Sequence, residues 1–271
     1  MSEPIQWYID GTALSSEAWG VAEWGGSSEA PPKYRGGALT IPYRRGQRWR
    51  PGVPDSRTIT LPMWLTDQHP TTGTYGGSSQ MLDNWRALRN LFTSTGGRQL
   101  AVRKVWDGGY GDATGYGQYA GGLEPDNYAL TGARFDVDLF MADPYFYGTE
   151  HTLGTFNSGT YDITGDILGD VSTGRYSFTF AGALSGFSLT LKKGSEVLSA
   201  LTSSMVLSTG KTLSIAMPDL TWSTDQAGQS VAMFTPGQQS GWLDLDPSAT
   251  SLVVAATGAG SVTIRYYPAW L

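Results

Sequence analysis

Two carboxylates in one short stretch are the first side chains in this sequence whose spacing could support chemistry. Asp136 and Asp138 alternate with apolar residues, so on a strand they share one face and lie about 7 Å apart. Two carboxylates at such a distance could serve glycoside hydrolysis. A solvent-exposed strand face carries the same pattern far more often, and we favour that interpretation.

Other aspartates have a spacing that could suit Ca²⁺. One group is Asp244 and Asp246, and the other is the spaced set Asp162, Asp166 and Asp170. Ca²⁺ takes several oxygen ligands, which a lectin-like site could draw from such carboxylates. Aspartates also form turns, because their side chains accept hydrogen bonds from the nearby backbone. We favour the turn interpretation for both groups.

The residue types needed for several other chemistries are missing or scattered. The chain contains no cysteine, which excludes disulfides, thiolate catalysis and cysteine-ligated metals. Its two histidines, His69 and His151, lie in unrelated segments, so we expect neither a two-histidine metal site nor a Ser–His pair. We therefore predict no catalytic residues, no cofactor, no metal and no enzyme activity.

Basic side chains are concentrated in one segment of an acidic chain. The net charge is −6, which argues against a general nucleic-acid binder. The segment contains Arg44, Arg45, Arg48, Trp49 and Arg50. Arginines beside aromatic residues suit a polyanion or the acidic face of a subunit, while a solvated loop with internal ion pairs explains the cluster equally well. These five residues are our candidate contact residues.

The composition predicts a mainly β protein. Glycine is abundant (36 residues), and tryptophan (10) and tyrosine (14) are frequent, which is typical of many turns joining aromatic and β-branched strands. Charged residues make up only 15%, against a usual ~25%. The first residues show no signal peptide, and no run approaches the ~18 apolar residues of a membrane span. We expect a soluble chain that is made in a cytoplasm.

The elements that position these side chains include one helix. Apolar residues recur every three to four positions from Met81 to Phe92, which predicts a helix over residues 79–93. Ser78 or Ser79 is the expected N-cap. Because the helix carries a single apolar stripe, we expect it to lie across a sheet.

Three other patterns in the first half of the chain concern strands. Residues 134–139 alternate strictly and the run stops at Asp143-Pro144, which predicts a half-buried strand that ends a first domain. Pro62 within the run Thr58–Leu65 predicts an edge strand or a bulge. Residues 108–122 are so rich in glycine that we predict a loop, functional or mobile.

A second domain is predicted beyond residue 147. Strand-like runs recur every eight to twelve residues between turn signals, which is typical of a β-sandwich. Trp222 and Trp242 could stack on sugar rings, although tryptophans of this kind lie more often in a core. They are weak candidate sugar contacts.

Several stretches in order resemble one protein family. They are Trp7–Gly11, Tyr34–Gly37, Arg57–Leu61, the predicted helix at Gln80–Phe92, Phe135–Tyr147, Gly241–Leu245, Val262–Tyr266 and Trp270. Taken together, they resemble the distal tail protein of bacteriophages with long non-contractile tails, a siphovirus-type minor tail protein. Residues 246–250 depart from the family in one local turn.

The resemblance implies a fold and an assembly role. The fold is mainly β with one helix. Residues 1–147 would form a β-barrel-like, ring-forming belt domain packed by helix 79–93, and residues 148–271 a galectin-like β-sandwich. The chain would make a homohexameric ring at the distal end of the tail tube. There it would act as a hub between the tail tube protein and the tail-tip or baseplate proteins.

The same resemblance implies a location and neighbours. The protein would belong to the virion at the tail tip, after synthesis in the host bacterial cytoplasm. The tape measure protein would be a further neighbour, and we expect no specific nucleic-acid binding and no membrane insertion. The arginine cluster would contact other subunits or the tube, or line the ring lumen. The alternative function is a carbohydrate-binding module that contacts host cell-wall sugars through the C-terminal sandwich.

Overall fold

A computed structural model describes most of the chain. The described residues are 5–22, 31–35, 38–40, 47–49, 53–93, 96–105, 111–124, 127–129, 131–228, 234–236 and 243–271. Two compact units divide the chain: Met1–Phe146 with Leu271, and Tyr147–Trp270. The predicted fold class, mainly β with one helix, is confirmed.

The first unit is built on one curled sheet. The strands in this part of the chain, not all of which belong to that sheet, are β1 (Gln6–Ile9), β2 (Thr12–Ala13), β3 (Trp19–Val21), β4 (Tyr34–Arg35), β5 (Ala38–Thr40), β6 (Gln47–Trp49), β7 (Val53–Pro54), β8 (Arg57–Thr66), β9 (Leu100–Val105), β10 (Asp112–Gly122), β11 (Asn127–Ala129), β12 (Gly132–Met141) and β13 (Phe146–Tyr147). The main path of the sheet is β2-β1-β9-β10-β12-β8-β3, and β11 pairs with β12.

The predicted alternation of the closing strand is confirmed in β12. Phe135, Val137 and Leu139 are buried, while Arg134 and Asp136 on the opposite face are exposed. β12 pairs with β8 without a shift in register from Met141↔Arg57 to Gly132↔Thr66. This antiparallel pair is the longest ladder described in the sheet, and each of its strands buries a continuous apolar face.

Pro62 lies in β8 where one neighbour ends. Its ladder with β12 has no bulge, but β3 covers only the last part of β8, from Met63 to Leu65. The carbonyl of Pro62 accepts a hydrogen bond from the N–H of Ala22, at 2.7 Å, just beyond the end of β3. The missing N–H of the proline lies on this same side, at the end of the ladder with β3, where only the return bond to Ala22 is lost. β8 lies between β12 and β3 in the sheet, so the predicted edge strand is wrong, and so is the predicted bulge.

The helix α1 (Gly77–Thr93) lies against the buried face of the sheet. Met81, Leu88 and Phe92 are buried, as the apolar stripe predicts. Trp85 meets Phe135 of β12 edge-to-face, with ring centroids 5.7 Å apart. The described part of the chain contains no helix with the length and apolarity that a membrane crossing requires.

The start of α1 differs from the prediction. The helix begins at Gly77, so Ser78 and Ser79 lie inside it and neither is the N-cap. The carboxylate of Asp67, which is buried, instead accepts a hydrogen bond from the N–H of Gly77 at 3.2 Å. A carboxylate at this position satisfies a free N–H group and interacts favourably with the positive end of the helix dipole.

The predicted loop at residues 108–122 is wrong over most of its length, because residues 112–122 form the strand β10. It pairs with β9 on one side and with β12 on the other. Ala113, Gly115 and Gly117 face the buried side in strict alternation. A β-carbon on Gly115 would lie 2.4 Å from Cε of Met141 and 3.1 Å from the ring of Phe146. The glycines therefore leave room for the large side chains that cover this strand.

Two further strand pairs are two-stranded sheets, and we call the described residues of β4, β5, β6 and β7 together the arm. β4 pairs with β7, and β5 pairs with β6 in the register Ala38↔Trp49 to Thr40↔Gln47. In the described topology neither pair joins a larger sheet. A two-stranded ribbon alone is marginally stable in water, so the arm gains stability from any further strand or surface that covers it.

The second unit is a sandwich of two five-stranded sheets. Its strands are β14 (His151–Phe156), β15 (Gly159–Asp162), β16 (Tyr176–Ala181), β17 (Leu184–Lys193), β18 (Glu196–Leu207), β19 (Thr212–Ala216), β20 (Thr221–Thr224), β21 (Phe234–Pro236), β22 (Ser251–Thr257) and β23 (Ser261–Tyr266). The short strand β24 (Ala269–Trp270) lies outside both of these sheets. The two sheet orders are β14-β23-β16-β19-β20 and β15-β22-β17-β18-β21.

Aromatic residues fill the core between these two sheets. Phe180 contacts Phe187 at a centroid distance of 4.3 Å and Phe234 at 6.1 Å, so both sheets contribute to one ring cluster. The regular predicted runs correspond to β16, β17, β18, β19, β22 and β23. The sequence pattern missed β14, β15 and β20, whose residues are mostly exposed and therefore give a weak apolar period.

Candidate interaction surfaces

Two residues of the predicted contact cluster lie on the arm. Arg48 and Trp49 lie on β6, opposite Leu39 and Ala38 of β5, where the structure describes the backbone. Arg44, Arg45 and Arg50 lie outside the described residues. The position on a two-stranded ribbon agrees with a contact role, but the cluster stays a prediction.

A second surface is the outer face of the first sheet, opposite the helix. Tyr116 on β10 is 44% exposed and Phe140 on β12 is 40% exposed. On the same face, the guanidinium carbon of Arg103 lies 4.9 Å from the ring centroid of Tyr8, and Arg103 forms an ion pair with Asp112. Aromatic and arginine side chains together are the residue types that dominate protein interfaces.

Asp136 and Asp138 belong to this outer face and to its cross-strand pairs. Asp138 lies opposite Thr60 of β8, and its Oδ1 accepts a hydrogen bond from the Thr60 hydroxyl at 2.7 Å. Asp136 is exposed opposite Pro62. This arrangement agrees with a solvated strand face, which is the interpretation the sequence favoured.

Two of the candidate aspartates in the second unit, Asp162 and Asp246, act in turns. Oδ1 of Asp162 accepts hydrogen bonds from the N–H and the hydroxyl of Thr164, and these two bonds lower the pKa of the carboxyl. Oδ1 of Asp246 accepts a hydrogen bond from the N–H of Ser248 at 2.8 Å. Within the described residues, no group of three or more His, Asp or Glu side chains is arranged to hold a metal ion.

Trp222 lies on β20, the last strand of its sheet, and is 44% exposed. It is paired with Ile215 of β19, whereas Ser223 is paired with Ser214. Because paired residues point to the same face of a sheet, Trp222 lies on the face of buried Ile215, opposite the serines. Trp242, the second candidate sugar contact, lies outside the described residues.

The serines border an open depression of about 250 Å³ on the outer face of this sheet. Its hydroxyls come from Ser177 and Thr179 of β16, Ser214 of β19, and Thr221 and Ser223 of β20. Thr179 and Ser214 already bond each other at 3.2 Å. A sugar site of the usual kind combines an aromatic platform with polar groups on one surface. Trp222 also contributes to the lining of this depression, but the register directs its side chain to the opposite face of the sheet from the hydroxyls. The carbohydrate-binding alternative is therefore not favoured.

Buried polar groups are the features that sequence reasoning missed. Lys104 of β9 is fully buried, and its Nζ lies 4.6 Å from the ring centroid of Phe146 and 5.0 Å from that of Trp7. Asn84 of α1 is buried and donates two hydrogen bonds from its side-chain amide, to the carbonyls of Thr66 and Gln68. The only sequence signal for either is a polar residue at a position where the local period demands an apolar one.

Asp244 of the second unit has a raised pKa. Burial raises the pKa of this carboxyl from 3.8 to about 6, and the nearby charge of Asp246 adds to the shift. The hydroxyl of Tyr176 is buried without a hydrogen-bond partner in the described part of the chain, and burial together with Asp244 raises its pKa. Burial and neighbouring carboxylates disfavour the ionised form of both groups. Their arrangement does not resemble an acid–base pair around an open cavity.

Comparisons in sequence find no known relative. No model of a protein family matches the chain. No curated protein matches it either.

Comparison of the fold finds phage proteins. The "Crystal Structure of SPP1 Dit (gp 19.1) Protein, a Paradigm of Hub Adsorption Apparatus in Gram-positive Infecting Phages" matches with a TM-score of 0.64 and 17% identity, over 99% of this chain and 100% of that one. A chain of the phage P2 baseplate in its activated conformation with Ca gives a TM-score of 0.42 and 8% identity, over 97% and 98%. The Sr form gives 0.41 and 8%, over 96% and 97%. The P2 scores are too low to bear on the fold. The SPP1 match confirms, at the level of the fold, the resemblance to distal tail proteins, and this chain has the fold of the SPP1 Dit protein along its whole length.

Proposed function

We propose that this chain is a structural protein of the tail tip of a phage with a long non-contractile tail. It forms a homohexameric ring at the distal end of the tail tube, and it acts as a hub that joins the tube to the tail-tip or baseplate proteins. The tail tube protein and the tape measure protein are its other neighbours. The proposal assigns the chain no chemical reaction, no cofactor and no specific nucleic-acid binding.

The observation that carries the proposal is the end-to-end match with the SPP1 Dit protein. The two chains align over 99% and 100% of their lengths, so both units of this chain have a counterpart there. The SPP1 protein is described as a paradigm of the hub adsorption apparatus in phages that infect Gram-positive bacteria. A shared fold does not by itself imply a shared function, but a match of both units along the whole chain is more specific than a match of one common β-sandwich.

Features of the first unit support an assembly role. The strand pairs of the arm join no larger sheet in the described topology, and Arg48 of the arginine cluster lies on β6 of the arm. The outer face of the first sheet exposes Phe140 and Tyr116 beside charged side chains. In a ring, a ribbon of one subunit can be stabilised by a neighbour, which offsets the weak stability of two strands alone.

The first test of the proposal is the mass of the assembly. Purified full-length chain is examined by light scattering over a wide concentration range and by negative-stain electron microscopy, alone and with purified tail tubes. We expect hexameric rings in solution or on the ends of tubes. A chain that stays monomeric throughout and leaves the tube ends bare overturns the ring.

The second test concerns the arginine cluster. Arg45→Glu combined with Arg48→Glu reverses two charges, and we expect fewer rings or weaker joining to the tube. The matched control is Arg86→Glu combined with Arg89→Glu, which makes the same charge change on the exposed face of α1. Equal ring formation and tube joining by the cluster variant, the control and the unchanged chain excludes the contact role of the cluster.

A further inference from the structure

β20 is an edge strand that lacks the protection seen at the other edges of the sandwich. β14 carries a register shift between Thr152 and Gly154, β15 contains the charged Asp162, and β21 contains Pro236. Bulges, charges and prolines are the devices that stop an edge from pairing with another chain. β20 reads Thr-Trp-Ser-Thr, pairs with β19 in regular register, and has none of the three.

The backbone of β20 presents free hydrogen-bonding groups at this edge. The N–H of Asp225 bonds the carbonyl of Thr212, and pairs that exchange such bonds alternate along an antiparallel ladder. Ser223 and Thr221 therefore direct their backbone groups towards β19. Trp222 and Thr224 direct theirs away from it, and in the described part of the chain no strand lies on that side.

Exposed apolar side chains border the same edge. Trp222 is 44% exposed and Leu220, just before the strand, is 36% exposed. Leu220 also has a φ of +50°, a left-handed conformation that a bulky residue adopts at a cost. Strained backbone of this kind persists where the surroundings enforce it and is found disproportionately at binding sites.

Carboxylates lie at the two ends of β20, and their charge favours one kind of partner strand. Asp219 and Asp225 are exposed and lie just before and just after the strand, and Oδ1 of Asp225 also accepts a hydrogen bond from the N–H of Thr212 on β19 at 2.7 Å. Antiparallel pairing of β20 with β20 of a second copy would bring Asp219 of one close to Asp225 of the other, which is unfavourable between like charges. A strand with a basic residue at each end would meet both carboxylates favourably.

We propose that β20 binds an extended segment of a partner protein, added to the sheet as a further strand. The segment is neutral over the residues that pair with β20 and basic at both ends. Main-chain hydrogen bonds to Trp222 and Thr224 hold it, and Asp219 and Asp225 fix its position. The proposal concerns the second unit alone and does not depend on ring formation.

The test uses two synthetic peptides with one core, Thr-Val-Thr-Val. One peptide carries a lysine at each end and the other a glutamate at each end, and fluorescence polarisation measures the binding of dye-labelled peptide to the full-length chain. We expect the lysine peptide to bind roughly tenfold or more tightly than the glutamate peptide. Equal binding of the two peptides, or no binding of the lysine peptide, overturns the proposal.

Two substitutions at one position separate the backbone from the side chain. Trp222→Pro removes an N–H that points away from β19, so the ladder inside the sandwich is kept. Trp222→Thr keeps the N–H and removes the indole. We expect Trp222→Pro to lower the affinity for the lysine peptide roughly tenfold more than Trp222→Thr does. Similar binding by both variants contradicts strand addition.

A third variant covers the case in which Trp222→Pro does not fold, as judged by thermal unfolding. Asp219→Lys changes an exposed side chain outside the strand. It should abolish the preference for the lysine peptide over the glutamate peptide. An unchanged preference overturns the role of this carboxylate and with it the selection of a basic segment.

Discussion

Gly122 and Asp136 approach so closely that a β-carbon on the glycine would lie 2.0 Å from the carbonyl oxygen of the aspartate. Gly122 has a φ of +90°, and the following residue, Leu123, donates its N–H to the same carbonyl at 3.0 Å. The register of β10 against β12 shifts just before this point, between Tyr119 and Gly121. The end of β10 therefore turns tightly around the backbone of β12, and buried Leu123 completes the turn.

The first prediction tests this contact. Gly122→Ala should lower the free energy of unfolding by about 2–4 kcal/mol, because it places a side chain against a fixed backbone atom and in an unfavourable φ. The measurement is urea unfolding of the full-length chain, followed by circular dichroism.

The matched control is Gly117→Ala on the same strand. A β-carbon there meets only ordinary contacts, at 3.5 Å from Leu139 and Met141. We expect a change below about 1 kcal/mol. If Gly122→Ala is tolerated as well as Gly117→Ala, the close approach of β10 to Asp136 is wrong.

The glycines of β10 also show what the sequence could reveal. A period of two was present in residues 113–118, but it alternated very small residues with larger ones rather than apolar with polar residues. Glycine is unfavourable in an isolated strand, so a loop was the natural prediction. The reason for the glycines lies in Met141 and Phe146, which are far away in sequence and become neighbours only in the folded sheet.

The second prediction concerns the anchor of α1. Asn84→Ala removes both donors to the carbonyls of Thr66 and Gln68. Because these carbonyls lose partners at a buried site, the free energy of unfolding should fall by about 2–3 kcal/mol. Asn90→Ala removes the same side chain from an exposed position of the same helix and should change stability by less than about 0.5 kcal/mol. Equal effects of the two substitutions in thermal unfolding contradict an anchoring role.

The helix itself was predictable because its apolar stripe is local. The role of Asn84 was not predictable, because it depends on hydrogen bonds to two carbonyls at and just beyond the end of β8. The start of the helix was not predictable either, because it depends on Asp67, ten residues before Gly77. Sequence periodicity reports which face is buried. It does not indicate which polar group holds the helix in its position against the sheet.

The third prediction is a pH dependence from Asp244. The pKa of this carboxyl is raised from 3.8 to about 6 in the folded protein, so between these values the folded state binds more protons than the unfolded state. Stability from this group is therefore full below about pH 4 and is lost as the pH rises through about 6. Asp244→Asn removes the titration and should raise the free energy of unfolding by about 1–3 kcal/mol at pH 8, with little effect at pH 4.

The measurement is the free energy of unfolding of both chains at a series of pH values. Glu196→Gln, which changes an exposed carboxylate at the start of β18, is the control and should change the free energy of unfolding by less than about 0.5 kcal/mol. A stabilisation by Asp244→Asn that is equal at pH 4 and pH 8 contradicts the raised pKa.

The candidate sites were predicted less completely than the fold. The arginine cluster could be found from composition, but the position of Arg48 and Trp49 on a strand pair depends on the pairing of β5 with β6, which no local pattern indicates. The sequence suggested Trp222 as a sugar contact through its indole. The register against Ile215 shows instead that the backbone of its strand is available for hydrogen bonding at the edge of the sheet. Edge position is a property of the whole sheet order and has no counterpart in a single segment.

The buried face of β10 has a consequence for how this sequence can change over time. At Gly115 every substitution adds a β-carbon where Met141 and Phe146 already stand, so no single replacement there is neutral for packing. A larger residue becomes acceptable only after Met141 or Phe146 has become smaller, and that smaller residue leaves a cavity until the second change arrives. A change at Gly115 therefore requires a second substitution at Met141 or Phe146, and the first of the two substitutions lowers the stability of the fold. These three residues should therefore vary together or stay unchanged.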